Sequence, residues 1–148
     1  MPGPVSIKVD AEEMLFSAAD VDLVNRQITI DSNINNINLK SIHDSLFPPL
    51  EGGQTVTCTI TEGVIVGSIA TSLRAFDVGT WDGSPTLNLI VIGRIQGRGG
   101  DGGTIFGEAG GATPGSPGGV ALFTREAINL TDTSGEIWGG GGGGGIKG

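Results

Sequence analysis

The sequence predicts an all-β protein: a domain of short repeated strands, solenoid- or sandwich-like, leading into ordered glycine-rich segments of the polyglycine II type. Three observations carry this prediction. Short apolar runs alternate with polar residues at the two-residue period of a strand. Three such runs end in the same pattern, Gly-x-Ile-x-Gly, as "GVIVG", "GRIQG" and "GEIWG". Glycine supplies 28 of 148 residues, far above the usual ~7%, and it is concentrated after Ile92.

"VSIKV" at 5–9 alternates as a strand. "DAEEMLFSAAD" supports a helical turn at most, and "VDLVNRQITI" alternates again. "SNINNINL" sets Ile34 and Ile37 among asparagines, which tolerate left-handed backbone, so a corner and a short strand are expected. Pro48, Pro49, Gly52 and Gly53 make "FPPLEGGQ" a loop. The repeat then runs at 55–67, 86–97 and 127–139. Its copies are unequally spaced, which implies one unit with variable inserts rather than a strict period. The outer glycines of each copy (Gly63 and Gly67, Gly93 and Gly97, Gly135 and Gly139) permit a bend or close approach. Ile65, Ile95 and Ile137 are expected to anchor the copies in a stacked core. Trp81 and Trp138 each adjoin a glycine or lie close to one and are expected to pack over bare backbone. The chain divides into a β-rich connecting segment at 1–50, a β-repeat domain at 51–96, and a glycine-rich tip at 97–148 that holds the third repeat.

The net charge of −8 and eight scattered Lys or Arg residues leave no basic footprint for nucleic acid. There is no run of 18 apolar residues to span a bilayer, and "MPGPVSIKVDAEE" does not read as a secretion signal. One cysteine cannot form an internal disulfide. Cys58 shares a strand face with Val56 and Ile60 and is expected to be a buried thiol. With a single histidine, His43, no metal cluster assembles. No catalytic residue, cofactor or metal is expected. The best carboxylate pair for polysaccharide hydrolysis, Asp77 and Asp82 around Trp81, reads more simply as turn residues beside Gly79 and Gly83.

"GRGGDG" at 97–102 fits a phosphate-loop pattern, but the glycines and prolines that follow cannot form the helix such a loop needs. A calcium-binding repeat fails because Asp101 stands without a nonapeptide period. A disordered linker suits the composition, yet β-like sequence resumes at "VALFTREAINL". Packed extended helices remain. They make no internal hydrogen bonds, so their backbones must bond to neighbours. Three-residue spacing is visible at Gly97, Gly100 and Gly103, at Gly99 and Gly102, at Gly107 and Gly110, and at Gly115 and Gly118. Seven consecutive glycines follow Trp138. If that whole run is close-packed, Gly142→Val should disrupt it.

"GVIVGS…TSLRAFDVGTW…TLNLIVIGRIQGRGGDGG", followed by "GGVALFTREAINLTDTSGEIWGGGGGGG", resembles the glycine-rich C-terminal region of tailed-phage tail-fibre proteins. Those proteins include the host-specificity (protein J) type and the polyglycine tip adhesins of long tail fibres. The resemblance covers about residue 32 onward. It implies a virion protein of the phage tail, extracellular, that attaches to the bacterial surface. It further implies an intertwined homotrimer, other phage tail proteins as partners, and a receptor that is an outer-membrane protein or lipopolysaccharide. A trimer would also let glycine backbones bond between chains. In such adhesins the inserts between glycine motifs contact receptor. Here those are 104–108 and 112–116, which makes Ile105, Phe106, Glu108, Thr113 and Pro114 the candidates. The alternative is a structural shaft segment without receptor contact.

Overall fold

The structure, a computed structural model, describes residues 22–103 and 114–143, and the backbone of 7–9. Its elements in order are β1 (Ile7–Val9), β2 (Asn25–Ile30), β3 (Ile34–Asn35), β4 (Ile37–Asn38), α1 (Leu39–Leu46), β5 (Thr55–Ile60), β6 (Ile65–Gly67), β7 (Phe76–Asp77), β8 (Thr86–Val91), β9 (Arg94–Gln96), β10 (Leu122–Phe123), β11 (Asn129–Asp132) and β12 (Glu136–Trp138).

These strands build a three-faced parallel stack. The first face runs β1-β2-β5-β8-β11, the second β3-β6-β9-β12 and the third β4-β7-β10. The chain visits the faces in turn, and each circuit lies in parallel register on the one before. Asn25 to Ile30 match Thr55 to Ile60, which match Thr86 to Val91, residue for residue. The β1 strand pairs antiparallel with β2 and covers one edge of the first face. The stack therefore begins at Asn25, and its first face continues across residue 50 without interruption.

Alternation decides what each strand buries. Ile28, Ile30, Val56, Cys58, Ile60, Leu87, Leu89 and Val91 point from the first face into the core. They meet Val66 and Ile95 of the second face and Ile37 and Phe76 of the third. The outward positions are polar except Ile90, and some of them bond along the stack. Asn129 donates its amide to Asn88 (3.0 Å), and Asn88 donates to the Thr57 hydroxyl (3.3 Å). Cys58 is fully buried, which pushes its thiol up to about 12.

The turns between the first and second faces explain the leading glycine of each repeat. Gly63 takes φ +82°, which L side chains rarely adopt. At Gly93 a Cβ would run into the carbonyls of Thr61 and Val64 in the circuit below, and at Gly135 into those of Ile92 and Gly93. Asparagine does related work in the first circuit: Asn36, at φ 54°, donates to Ser68 Oγ and the Arg74 carbonyl and accepts from Ile69 N–H.

One expected anchor is corrected. The glycines of the three motifs suggest that Ile65 aligns with Ile95, but the register pairs Ile65 with Arg94 and Val66 with Ile95. Ile65 consequently faces outward at 37% exposure, while Val66 and Ile95 are at 0% and Ile137 packs partly buried above Ile95. The one-residue slip moves the side chain to the other face of the strand. Val66→Asp is expected to unfold the stack in urea titrations, because an unpaired charge would enter the core. Ile65→Thr should stay within about 0.5 kcal/mol of the parent. Equal effects at both positions would reject the register.

Helix α1 has little signal in the sequence. Its residues are mixed helix formers, but Asn38 caps it by accepting from Ser41 N–H (3.0 Å), and Pro48 and Pro49 lie just beyond its end.

Candidate functional site

The glycine-rich part leaves the stack where the second face turns toward the third. Segment 97–103 departs after β9, 114–119 returns before β10, and 139–143 follows β12. The three segments hydrogen-bond in a ring. Gly97 and Gly100 donate to the carbonyls of Trp138 and Gly141. Gly140 and Gly143 donate to Gly119 and Ser116. Gly119 and Ser116 donate in turn to Arg98 and Asp101. Every donor in a segment is three residues from the next. These pairings make 139–143 parallel to 97–103 and 114–119 antiparallel to both.

Close approach accompanies the bonding. A Cβ on Gly97, Gly100, Gly118, Gly140 or Gly143 would penetrate a neighbouring segment's backbone. Gly139 and Gly141 have nothing within 4 Å, and Gly142 has only the Ser116 carbonyl at 3.7 Å. Gly142→Val is thus the wrong test of close packing; among the described glycines of that run the tight positions are Gly140 and Gly143. The base of the excursion is seated on the second circuit, where a Cβ on Gly119 would meet the Thr71 backbone at 3.0 Å. Its outer part is clasped by Asp101 N–H donating to Ser116 Oγ (2.7 Å) and Ser116 N–H donating to the Asp101 carbonyl (2.9 Å).

Of the expected receptor-contacting residues, Pro114 is described and exposed. Ile105, Phe106, Glu108 and Thr113 lie outside the described residues. Trp81 packs in the interior as expected, with its indole N–H on the Val78 carbonyl (2.7 Å). Trp138 departs from that expectation: it is 46% exposed, with the Arg94 guanidinium 3.9 Å from its ring centre.

Among the described residues, Asp77 and His43 are held in structural contacts. Asp77 accepts from Gly79 N–H (2.8 Å), Arg74 (3.1 Å) and Arg125 (3.2 Å), and both guanidiniums lie over the Phe123 ring. This is a turn and a clamp for the third face. Asp82 is separate from it, at the edge of a cleft of about 360 Å³ beside α1. His43, fully buried, accepts from Arg26 Nη1 at Nε2 (2.9 Å), so its proton sits on Nδ1 and is donated to Asp44 (2.9 Å). The ring packs between Phe47 and Trp81. Burial, foremost, pulls the His43 pKa below its usual value.

A stack of short parallel strands carrying a clasped glycine excursion is a scaffold for presenting a surface. The family model of the phage tail fibre adhesin Gp38 matches residues 25–148, from the first residue of β2 through the glycine-rich part. The chain belongs to the Gp38 tail-fibre adhesin family. As a tail-fibre adhesin its place is the virion tail and its role is host attachment, in association with other tail proteins and a host receptor. No curated protein and no solved structure matches the chain significantly.

Proposed function

We propose that this adhesin presents its receptor-contacting residues at the outer end of a polyglycine II bundle. The supporting observation is the ring of backbone bonds with its three-residue spacing, the period of an extended helix that has no internal bonds. Two of the described segments run outward and one runs back. Ile105, Phe106, Glu108, Thr113 and Pro114 are the proposed contacts, and an outer-membrane protein or lipopolysaccharide is the proposed receptor.

The chain works by binding, not catalysis. In support, both nitrogens of His43 are committed, Cys58 is a buried thiol, and Asp77 is held by two arginines. The homotrimer that the tail-fibre resemblance implies is part of this proposal, and a trimer would let glycine backbones bond between chains. The described segments find partners within one chain, so light scattering of the purified protein decides whether three copies assemble.

Adsorption competition tests the reading. Purified protein should bind one bacterial strain saturably and block infection by a phage of that strain. Ile105→Ser combined with Phe106→Ser should weaken binding at least tenfold without moving the melting temperature. A folded protein that binds no strain in a panel including the phage's own host would refute it.

A further inference from the structure

The leading glycines of the three motifs do more than turn the chain. Gly63, Gly93 and Gly135 line one groove of about 330 Å³ along the corner between the first and second faces. Ile65 and Ile92 contribute half-exposed apolar rims. The Arg94–Glu136 pair forms the wall toward the second face.

On the far side of that wall lies Trp138. Arg94 holds it in place: its guanidinium stacks on the indole at 3.9 Å, while its N–H groups bind Glu136 Oε1 (2.9 and 2.8 Å) and Gln96 Oε1 (3.2 Å). One ring face is thereby covered by a fixed cation, and the side chain as a whole remains 46% exposed. Glu136 Oε2 and the Gln96 amide N–H groups have no partner among the described residues. Trp138 pairs in register with Gln96. Nearby, Gly67 admits the Asn35 side chain at close range, since a Cβ there would sit 2.9 Å from Asn35 Oδ1.

A flat aromatic ring beside planar hydrogen-bonding groups fits a pyranose. The electron-rich ring face attracts the weakly positive C–H groups of a sugar, while a carboxylate oxygen and an amide address its hydroxyls. Arg94 and Glu136 neutralise each other, so the complementary ligand is uncharged. The arrangement is also preorganised, which reduces the ordering cost of binding. We infer that Trp138, with Glu136, Gln96 and the adjoining corner groove, is a binding site for neutral hexopyranose units of a bacterial surface polysaccharide. This site is separate from the contacts proposed at the end of the glycine bundle. It rests on the host-attachment reading only for the source of the glycan.

Tryptophan emission tests it directly, because Trp81 is buried and Trp138 is open to an aqueous quencher. The probes are delipidated polysaccharides prepared from the lipopolysaccharide of a Gram-negative panel that includes the strain the protein adsorbs to. At least one should blue-shift the emission and protect it saturably from acrylamide. Trp138→Ala should weaken that binding at least tenfold, Trp138→Phe less, and circular dichroism should report a folded protein. If Trp138→Ala does not fold, acrylamide protection in the parent protein and its loss in Gln96→Ala decide the matter.

Absence of protection with every polysaccharide, or equal affinity in folded Trp138→Ala, overturns the inference. Cell binding that survives periodate but is lost when the cells are treated with protease also overturns it, and leaves attachment intact through a protein receptor. Polysaccharide binding by a protein that adsorbs to no cell would uphold this site and overturn the attachment reading instead.

Discussion

Gly140→Ala is expected to lower host-cell binding at least tenfold and to open residues 97–103 and 114–119 to protease, while Gly141→Ala changes neither. The two glycines are chemically identical neighbours, but their surroundings differ. A Cβ on Gly140 would enter the Arg98 carbonyl and sit 2.8 Å from Gly119 N, whereas one on Gly141 would meet nothing within 4 Å. The obstructing atoms are backbone and cannot rotate aside. Overpacking costs about 1–3 kcal/mol in a tight interior, and each backbone bond contributes a net of about 0.5–1.5 kcal/mol. Displacing Gly140 breaks its bond to Gly119 and strains the bond from Gly119 to Arg98, so the cost rivals what holds the ring together. The strand stack has its own core and should keep its melting temperature. Adsorption assays and timed proteolysis of both variants provide the check. Wild-type binding by Gly140→Ala would mean that the bundle does not position the receptor contacts.

Acid is expected to destabilise the stack through His43, and Arg26→Ala is expected to destabilise it at every pH. Arg26 occupies an inward position of β2, in register with Val56 and Leu87. It donates to the Leu23 carbonyl (2.9 Å), His43 Nε2 (2.9 Å) and the Pro48 carbonyl (2.6 Å). These bonds fasten α1 and the following loop over one corner of the core. Removing the guanidinium strands buried acceptors, each at a cost of about 1–3 kcal/mol.

The pH effect has a definite sign. Burial holds the folded-state pKa of His43 below its ordinary value of 6.5, so the unfolded chain takes up a proton first as pH falls. His43 contributes its full stability above about 6.5 and loses it as pH falls from there toward the folded value, at no more than about 1.4 kcal/mol per pH unit. Protonation would also set a second N–H donor against Arg26 Nη1. Melting curves between pH 8 and pH 5 should show this slope in the parent and lose it in His43→Gln, because the chain has one histidine. An unchanged slope in His43→Gln would show that another group is responsible.

Much of the strand architecture is legible in the linear chain. The alternation in "NRQITI", "TVTCTI" and "TLNLIV" marks β2, β5 and β8, and it places Cys58 inside because a strand's period is two. Ile34, Asn36 and Ile37 mark a corner because asparagine accepts positive φ there. The circuit at 25–38 lacks the repeat motif because its corner uses asparagines where later circuits use glycine. Helix α1 has little signal because its residues have no strong preference, and Arg26, His43, Phe47 and Trp81 close around it only in the folded chain.

Local composition thus dictated strands, loops, the buried thiol and a glycine-rich part with three-residue spacing, since these follow from backbone freedom and side-chain polarity residue by residue. Tertiary structure alone decided register and exposure. It turned Ile65 out and Val66 in, because ladder bonds rather than motif glycines align the circuits. Among the described glycines of an unbroken run it selected Gly140 and Gly143, because the facing carbonyls of Arg98 and Asp101 distinguish them. It left Trp138 exposed on β12, the outermost described strand of the second face, where Arg94 covers one side of the ring. Each of these outcomes depends on atoms at least 29 positions away in the chain, and local preference carries no information about such partners.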